Sequence, residues 1–570
     1  IETDGLLDTV SKIHCLSYLV IDEKEGYSII TLTDYDQMRE LLLQDNLEIC
    51  GHNIIRYDIP VLEKLLGVKI TARLIDTLAL SWYLYPMKPR HGLEAWGDDL
   101  GVKKPEILDW ENLRLEDYVN RCETDVVINN LLFEKQLTYL GMVYDYDSVK
   151  VDNLINYLGF KLDCAKEQEE VGCKVNRELV NSSLEELRTL KTEKVNALIA
   201  SMPKCRTYKE VKKPAKLTKA DGTISQVGIK WSNLLLEQGL PENYDKVVTV
   251  LKSEENGNPS STTQMKAWLD GLGWIPRNFE HRKNKAGEVK AIPQIYVSDQ
   301  VCDSIKDLYT LEPALENLDM LSLINHRIGV LESMLYKMNE KDVVRAEVNG
   351  FTNTLRFKHR KPIVNLPKVF KFYGKQIRGS IIAPTDNHLL CGSDMSSLED
   401  TTKQHYMYFF DPEYVSQMRV PGFDPHIDIG VLAKLLKQEE SDFFKWYNKT
   451  KKDVKDGLSN HIFTEAEHAK IEYITQIRNK AKTVNFAGVY GAGPPKIALT
   501  TGMPLQQAQK LHKTYWDRNK SVKQVAASAR TKTTTFDGVE QMWLYNPVSG
   551  FWYTLRYEKD KFSTLNQGTG

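Results

Sequence analysis

Along the first 140 residues, short runs rich in β-branched and aromatic side chains alternate with segments of helical spacing. His14-Cys15-Leu16-Ser17-Tyr18-Leu19-Val20-Ile21 and Tyr27-Ser28-Ile29-Ile30-Thr31-Leu32 predict strands, while 59–66 and 126–137 predict helices. The alternation predicts an α/β domain over 1–150. From 165 to 202 the period changes to that of one long amphipathic helix, with Val180, Leu184, Leu187, Leu190, Val195 and Leu198 along one face. Leu321, Ile324, Ile328, Leu331, Leu335 and Met338 recur at steps of three and four, the apolar seam of a second long helix packed against the first. A helical stalk built from these two helices follows, and the turn-rich, lysine-rich stretch 203–262 reads as an extended loop at its tip.

The chain has 570 residues, enough for several domains at ~150 residues each. Its 42% hydrophobic and 27% charged residues exclude a disordered chain, and no run approaches the ~18 apolar residues of a membrane helix, so no membrane role is expected. The eight cysteines form no C-x-x-C pair, which argues against a zinc site and a disulfide framework and for a reducing, cytoplasmic compartment. A net charge of −2 says nothing of nucleic acid, but the charge is segregated. Between Glu347 and Asp386 no acidic residue occurs, while Arg356, Lys358, Arg360, Lys361, Lys368, Lys371, Lys375 and Arg378 interleave with Phe351, Phe357, Phe370, Phe372 and Tyr373. Phosphate neutralisation is the evident use of such a segment, and a nucleic-acid partner is expected.

Three groups of residues carry candidate chemistry. Glu2 on a first strand, Asp58 at a central helix and Asp125 on a later helix supply the hard oxygen ligands of a two-metal phosphodiester hydrolase. Asp76 reads instead as a helix N-cap. Arg478, Lys482 and Phe486 are spaced i, i+4, i+8, so on a helix they form one stripe of two cations and a ring. Cys391 to Glu399 reads as a strand ending in an acidic residue.

Together these residues resemble a known family. Ile1-Glu2 with Leu6-Leu7, Gly51-His52-Asn53 through Asp58-Ile59-Pro60, Ile75-Asp76-Thr77-Leu78 and Leu93-Glu94-Ala95-Trp96-Gly97 are similar to the 3′-5′ proofreading exonuclease of family A (Pol I-like) replicative DNA polymerases of short-tailed phages. The string Arg478-Asn479-Lys480-Ala481-Lys482-Thr483-Val484-Asn485-Phe486-Ala487-Gly488-Val489-Tyr490-Gly491 resembles the fingers helix of that family. Asp394 and Glu399 resemble the first catalytic motif of its palm, with Thr401 where the family has Arg. Further similar stretches are Ser260-Ser261 with Leu272 to Pro276, Arg327-Ile328-Gly329, Thr354-Leu355-Arg356, Asn365-Leu366-Pro367, Tyr373 to Arg378, and Ser563 to Gly568.

The resemblance implies a multidomain α/β and α+β protein, an RNase H-like exonuclease domain followed by a right-hand (thumb, palm, fingers) polymerase domain. Its parts would be exonuclease at 1–150, thumb at 151–340, palm at 341–430, fingers at 431–540 and a return to the palm at 541–570. It implies two Mg²⁺ ions per active site, with Mn²⁺ able to substitute. Glu2, Asp58 and Asp125 would serve editing, and Asp394 nucleotidyl transfer. The family carries a Tyr four residues before the third exonuclease aspartate. This chain has Arg121 there, so either Tyr118 one turn back takes the water-orienting role or the exonuclease is weakened. Arg478, Lys482, Phe486, His426, Glu399 and Tyr490 would contact the incoming dNTP; Arg356, Lys361, Arg378, Gly491 and Gln567 would contact primer-template DNA. Phe486, lacking a ring hydroxyl, implies discrimination against dideoxynucleotides. A processivity factor at 203–262 and a helicase or primase are further implied partners. The family's first exonuclease Asp would precede Ile1 and its second palm Asp would follow Gly570, so the expectation is a chain trimmed at both ends. Two other readings stay open on the sequence: an exonuclease whose polymerase half is inactive or completed by a second polypeptide, and a DNA-binding protein on a decayed polymerase fold.

Overall fold

In the computed structural model of the chain, Ile13–Asp22 and Gly26–Leu32 pair as an antiparallel hairpin, with Glu2–Thr3 on the free edge of Ile13–Asp22. The structure describes residues 1–570 except 23–25, 108–112, 284–287, 298–299, 361, 396, 557–563, 565–567 and 569–570, and except the side chains of 21, 22 and 283. Lys361 and Gln567 lie outside the described residues. Glu48–Gly51 and Arg73–Asp76 pair in parallel, which requires a crossover, and the helix Asp58–Leu66 supplies it. Helix Thr77–Leu84 is apolar all round and almost wholly buried. The 30-residue helix Leu115–Tyr144 completes this mixed α/β layer.

The chain divides into two compact units, each discontinuous: Ile1–Val171 with Glu347–Arg360 and Leu390–Gly570, and Gly172–Ala346 with 361–389. In the first unit, strands Thr531–Phe536, Val539–Asn546 and Phe551–Thr554 form an antiparallel sheet. Its Trp543, Phe551 and Trp552 join the core of the N-terminal residues, where the Tyr83 hydroxyl donates to the Trp552 carbonyl at 2.6 Å. Lys532 Nζ donates to the carbonyls of Met142 and Val143 at 2.9 and 3.0 Å, placing a cation on the C-terminus of the long helix. The expected boundary at 540 therefore cuts through one sheet, and aromatic burial ties that sheet to the N-terminal core. Elsewhere in the unit, Glu465–Val489 packs with Pro425–Leu432, Pro494–Thr501 and Leu505–Arg518 around Ile429, Val484, Ile497, Leu511 and Tyr515. A Cβ on Gly488 would stand 2.4 Å from Tyr515 Cε1, so only glycine lets these helices approach this closely.

Three expectations change. Cys391 to Met395 is irregular and exposed, not a strand, because among the described residues no strand pairs with it and an unpaired strand leaves its backbone groups unsatisfied. The single helix over 165–202 is two, Ser148–Val171 and Arg177–Ser201. Gly172 at φ +62° ends the first, and Asn176 Oδ1 caps the second by accepting from Leu179 N at 2.9 Å. The stretch 203–262 is not a loop: Cys205–Val211 pairs with Val248–Glu255, and helix Gln226–Glu237 buries Trp231 and Leu235 against Val248 and Val250. The stalk holds within the second unit, where Val180, Leu184 and Leu187 share a core with Ile324, Ile328 and Leu331. All eight cysteines are free thiols, and among the described residues no helix is long and apolar enough to cross a membrane.

Candidate active site

Two of the three N-terminal carboxylates, Glu2 and Asp125, meet at the helix Leu115–Tyr144. The strand start reaches Asp58, with the Ile1 nitrogen 3.1 Å from Asp58 Oδ1. Asp58 itself opens helix Asp58–Leu66. Glu2 is ion-paired with Arg121, Nε standing 3.1 Å from Oε1, and Asp125 is ion-paired with Lys104. Burial raises the Glu2 pKa, with Arg121 and Lys104 opposing it and Asp125 adding to it. Tyr118 stacks on His14 with ring centroids 3.9 Å apart, so its ring is engaged with the first hairpin. Asp76 is the N-cap its position predicts: its carboxylate accepts from the backbone nitrogens of Asn53, Ile55, Leu78 and Ala79 at 3.1, 3.3, 2.9 and 3.3 Å. Burial nevertheless pushes its carboxyl up to about 6.

The second site lies on the helix Glu465–Val489, where the cation and ring stripe forms as the spacing predicts. His426, Phe486, Glu399 and Tyr490 line a cavity of about 290 Å³ together with Arg356 and Lys403. His426 and Phe486 ring centroids are 6.1 Å apart, and Lys482 Nζ sits 5.7 Å above the Phe486 ring. Arg478 Nε donates to Asp424 Oδ2 at 2.6 Å and its guanidinium carbon lies 5.8 Å from the Phe444 ring centroid, leaving both terminal nitrogens without a hydrogen-bond partner among the described residues. Asp424 Oδ1 caps the helix Pro425–Leu432, accepting from the nitrogens of His426 and Ile427 at 2.9 and 3.0 Å. Burial holds the His426 imidazole down to about 4; Asp424 and Asp400 pull the other way, Arg478 and Lys482 with the burial. Gly491 turns the chain at φ +77° directly after this helix and its cap, Tyr490.

Sequence reasoning missed four residues here. Asp424 and Asn485 fix His426, Lys403 faces Asp400 at 3.6 Å within the cavity wall, and Lys104 neutralises Asp125. Only Asn485 left a trace, lying seven residues after Arg478 on the same face of one helix. Asp394 is exposed and does not line the cavity. Arg356 is exposed at the cavity edge. In the second unit, Arg378 donates Nε and Nη2 to the carbonyls of Pro367 and Leu366 at 2.6 and 3.1 Å, holding its own loop.

Carboxylate oxygens are the right kind of ligand for Mg²⁺, and Asp125 Oδ1 is buried without a hydrogen-bond partner. The arrangement does not fit the ion, however. Lys104 and Arg121 face two of the three carboxylates, and among the described residues no three His, Cys, Asp or Glu side chains gather closely enough to hold a metal. Asp394 brings a single carboxylate, where a two-metal centre needs more.

The chain has the fold of a nucleic-acid polymerase. It matches the polymerase domain of Pol1 from M. smegmatis, a structure in complex with DNA primer-template and dNTP, with a TM-score of 0.56 at 12% sequence identity over 97% of this chain and 81% of that one. It matches no protein-family model. It is 24% identical to the DNA-directed DNA polymerase of Enterobacteria phage T3 and 23% identical to that of Escherichia phage T7, over 92% of this chain and 79% of each relative. The chain is similar along most of its length to these phage DNA polymerases and shares its fold with the Pol1 polymerase domain.

Proposed function

We propose that the protein is a template-directed DNA polymerase acting in DNA replication, with an N-terminal 3′-5′ proofreading exonuclease domain. One observation carries the reading: His426, Phe486, Glu399 and Tyr490, four residues assigned to the incoming nucleotide on sequence grounds, line a single cavity beside Arg478 and Lys482. In the reaction the primer 3′-hydroxyl attacks the α-phosphate of a dNTP. A phosphodiester bond forms, the α–β bridging bond breaks, pyrophosphate leaves and the hydroxyl proton passes to solvent. The free guanidinium nitrogens of Arg478 and the Lys482 ammonium stabilise the charge that develops on the pyrophosphate. The Phe486 ring packs on the nucleotide, Glu399 borders its sugar and Tyr490 the templating base.

In this reading residues 1–171 are an RNase H-like exonuclease domain with its connecting helix, and Gly172–Ala346 with 361–389 is the thumb. The helices between Leu398 and Ser528 supply the fingers and part of the palm, with Arg356, Lys361, Arg378, Gly491 and Gln567 near primer-template DNA. A dependence on Mg²⁺, or Mn²⁺ in its place, belongs to the proposal and requires Lys104 and Arg121 to release Asp125 and Glu2; chelation tests it. The full-length protein on a primed template, with and without the four dNTPs, tests the whole. Extension with dNTPs supports the polymerase, and shortening without them supports the exonuclease. Shortening alone, whatever the nucleotide supply, overturns the polymerase reading.

A further inference from the structure

We propose that Asn485 is a positioning residue that fixes His426 as a neutral imidazole presenting its Nε2–H to a phosphate oxygen of the incoming nucleotide. The inference deepens the polymerase reading and rests on it.

The argument begins at the Pro425 carbonyl, which can only accept a hydrogen bond. It lies 3.4 Å from Asn485 Nδ2, and that neighbour fixes which end of the amide is the NH₂. The same Nδ2 stands 2.7 Å from His426 Nδ1. An amide nitrogen donates and does not accept, so His426 Nδ1 is the acceptor and carries no proton. A neutral imidazole has one N–H, which is then on Nε2. Protonation of the ring would set an N–H against the amide N–H, and burial of His426 at 5% exposure opposes the charge further. Asp424, Asp400, Arg478 and Lys482 are the charged groups acting on the ring, two of each sign. Nε2 has no hydrogen-bond partner among the described residues, and the ring lines the cavity with Glu399, Phe486 and Tyr490.

One helix therefore clamps the first turn of Pro425–Leu432 at two points seven residues apart. Arg478 holds Asp424, whose other oxygen caps the turn, and Asn485 holds His426 and Pro425. Because Arg478 also faces the phosphates in this reading, the helix that binds the nucleotide also aims the imidazole. A neutral N–H donor contributes orientation without adding a third cation to Arg478 and Lys482.

The test uses the full chain with Asn485→Ala, Asn485→Asp, His426→Ala and the Asn485→Ala/His426→Ala double variant. Asn485→Ala is expected to raise KM for dNTP about tenfold, the worth of one misaligned hydrogen bond, with a much smaller change in kcat. In the His426→Ala background the same substitution is expected to add nothing, since its effect passes through the ring. Histidine ¹⁵N NMR of the unsubstituted protein is expected to show His426 as the Nε2–H tautomer at neutral pH. In Asn485→Asp, whose carboxylate accepts from Nδ1–H, it is expected to show the imidazolium. Independent, additive KM effects, or a His426 protonated on Nδ1 in the unsubstituted protein, overturn the proposal. The tautomer measurement needs no substitution and stands even if a variant fails to fold. Absence of any dNTP-dependent extension by the unsubstituted protein would instead sink the polymerase reading, leaving the tautomer assignment measurable on its own.

Discussion

Arg121 Nε stands 3.1 Å from Glu2 Oε1, both side chains largely shielded at 18% and 14% exposure, where an editing site would need the carboxylate for a metal. Removing the cation of a shielded ion pair of this kind frees the carboxylate by about 1.4 kcal/mol, about tenfold in occupancy. Arg121→Tyr is therefore expected to raise Mg²⁺-dependent degradation of a single-stranded 3′ end by about tenfold. Gel analysis of a labelled oligonucleotide without dNTPs reads it. An unchanged or lower rate would show that the ion pair is not what restrains the site.

His426 bears on stability against pH as well as on nucleotide binding. Its folded pKa is held near 4, below the ordinary 6.5, so the unfolded chain takes up the proton first. The stabilising contribution is complete above pH 6.5 and is lost as the pH falls from 6.5 towards 4, by up to about 3 kcal/mol. Urea unfolding of the wild-type protein and of His426→Gln over pH 4–7 should therefore converge as the pH drops. Parallel curves would mean that His426 titrates alike in both states.

What could be read from the sequence was periodic or contiguous. The stripe Arg478, Lys482, Phe486 follows from helical spacing, and the seam of Val180, Leu184 and Leu187 against Ile324 and Ile328 from its three-four rhythm. The Asp76 cap was legible because capping is local. Misread segments had signals that depend on a partner. Cys391 to Met395, read as a strand, holds a Gly and an Asp that disfavour one and has no neighbour among the described residues to complete it. In 203–262 lysine density hid Trp231 and Leu235, an i, i+4 pair that marks a buried helix face. The Lys104–Asp125 and Asn485–His426 contacts join elements by tertiary packing, which no spacing along the chain encodes.

Asp76 joins the crossover at Asn53 and Ile55 to the start of helix Thr77–Leu84 through four backbone donors. Asp76→Ala orphans all four in a site where Asp76 itself is only 4% exposed. A loss of about 3–5 kcal/mol is expected in the unfolding of the N-terminal residues, with Asp76→Asn losing clearly less because it keeps one acceptor oxygen. Equal losses for the two variants would assign the effect to packing rather than to the cap.

Phe486 lines the nucleotide cavity with a ring that carries no hydroxyl. In Phe486→Tyr the added hydroxyl can stand in for the missing 3′-OH of a dideoxynucleotide, a gain of about one hydrogen bond. Incorporation of ddNTP relative to dNTP is expected to rise by about tenfold or more, read from termination ladders. A ratio that stays at the wild-type value would place the ring away from the sugar.

The folded module between Cys205 and Glu255 changes how its role must be tested. Deleting 206–219 would remove most of the strand Cys205–Val211 and leave Val248–Glu255 without its partner, so any defect would mix lost contacts with unfolding. Cys205 pairs directly with Glu255, so the module enters and leaves at adjacent points. Replacing 206–254 by a few Gly and Ser residues closes the gap at little entropic cost and leaves the stalk helices Arg177–Ser201 and Leu321–Lys337 intact. If the module holds DNA or a processivity factor, the excised protein adds single nucleotides at the wild-type rate and makes shorter products per binding event. Primer extension with a heparin trap, read as product length, decides it. Product lengths equal to the wild type's, with and without host-cell extract, would remove the module from processive synthesis.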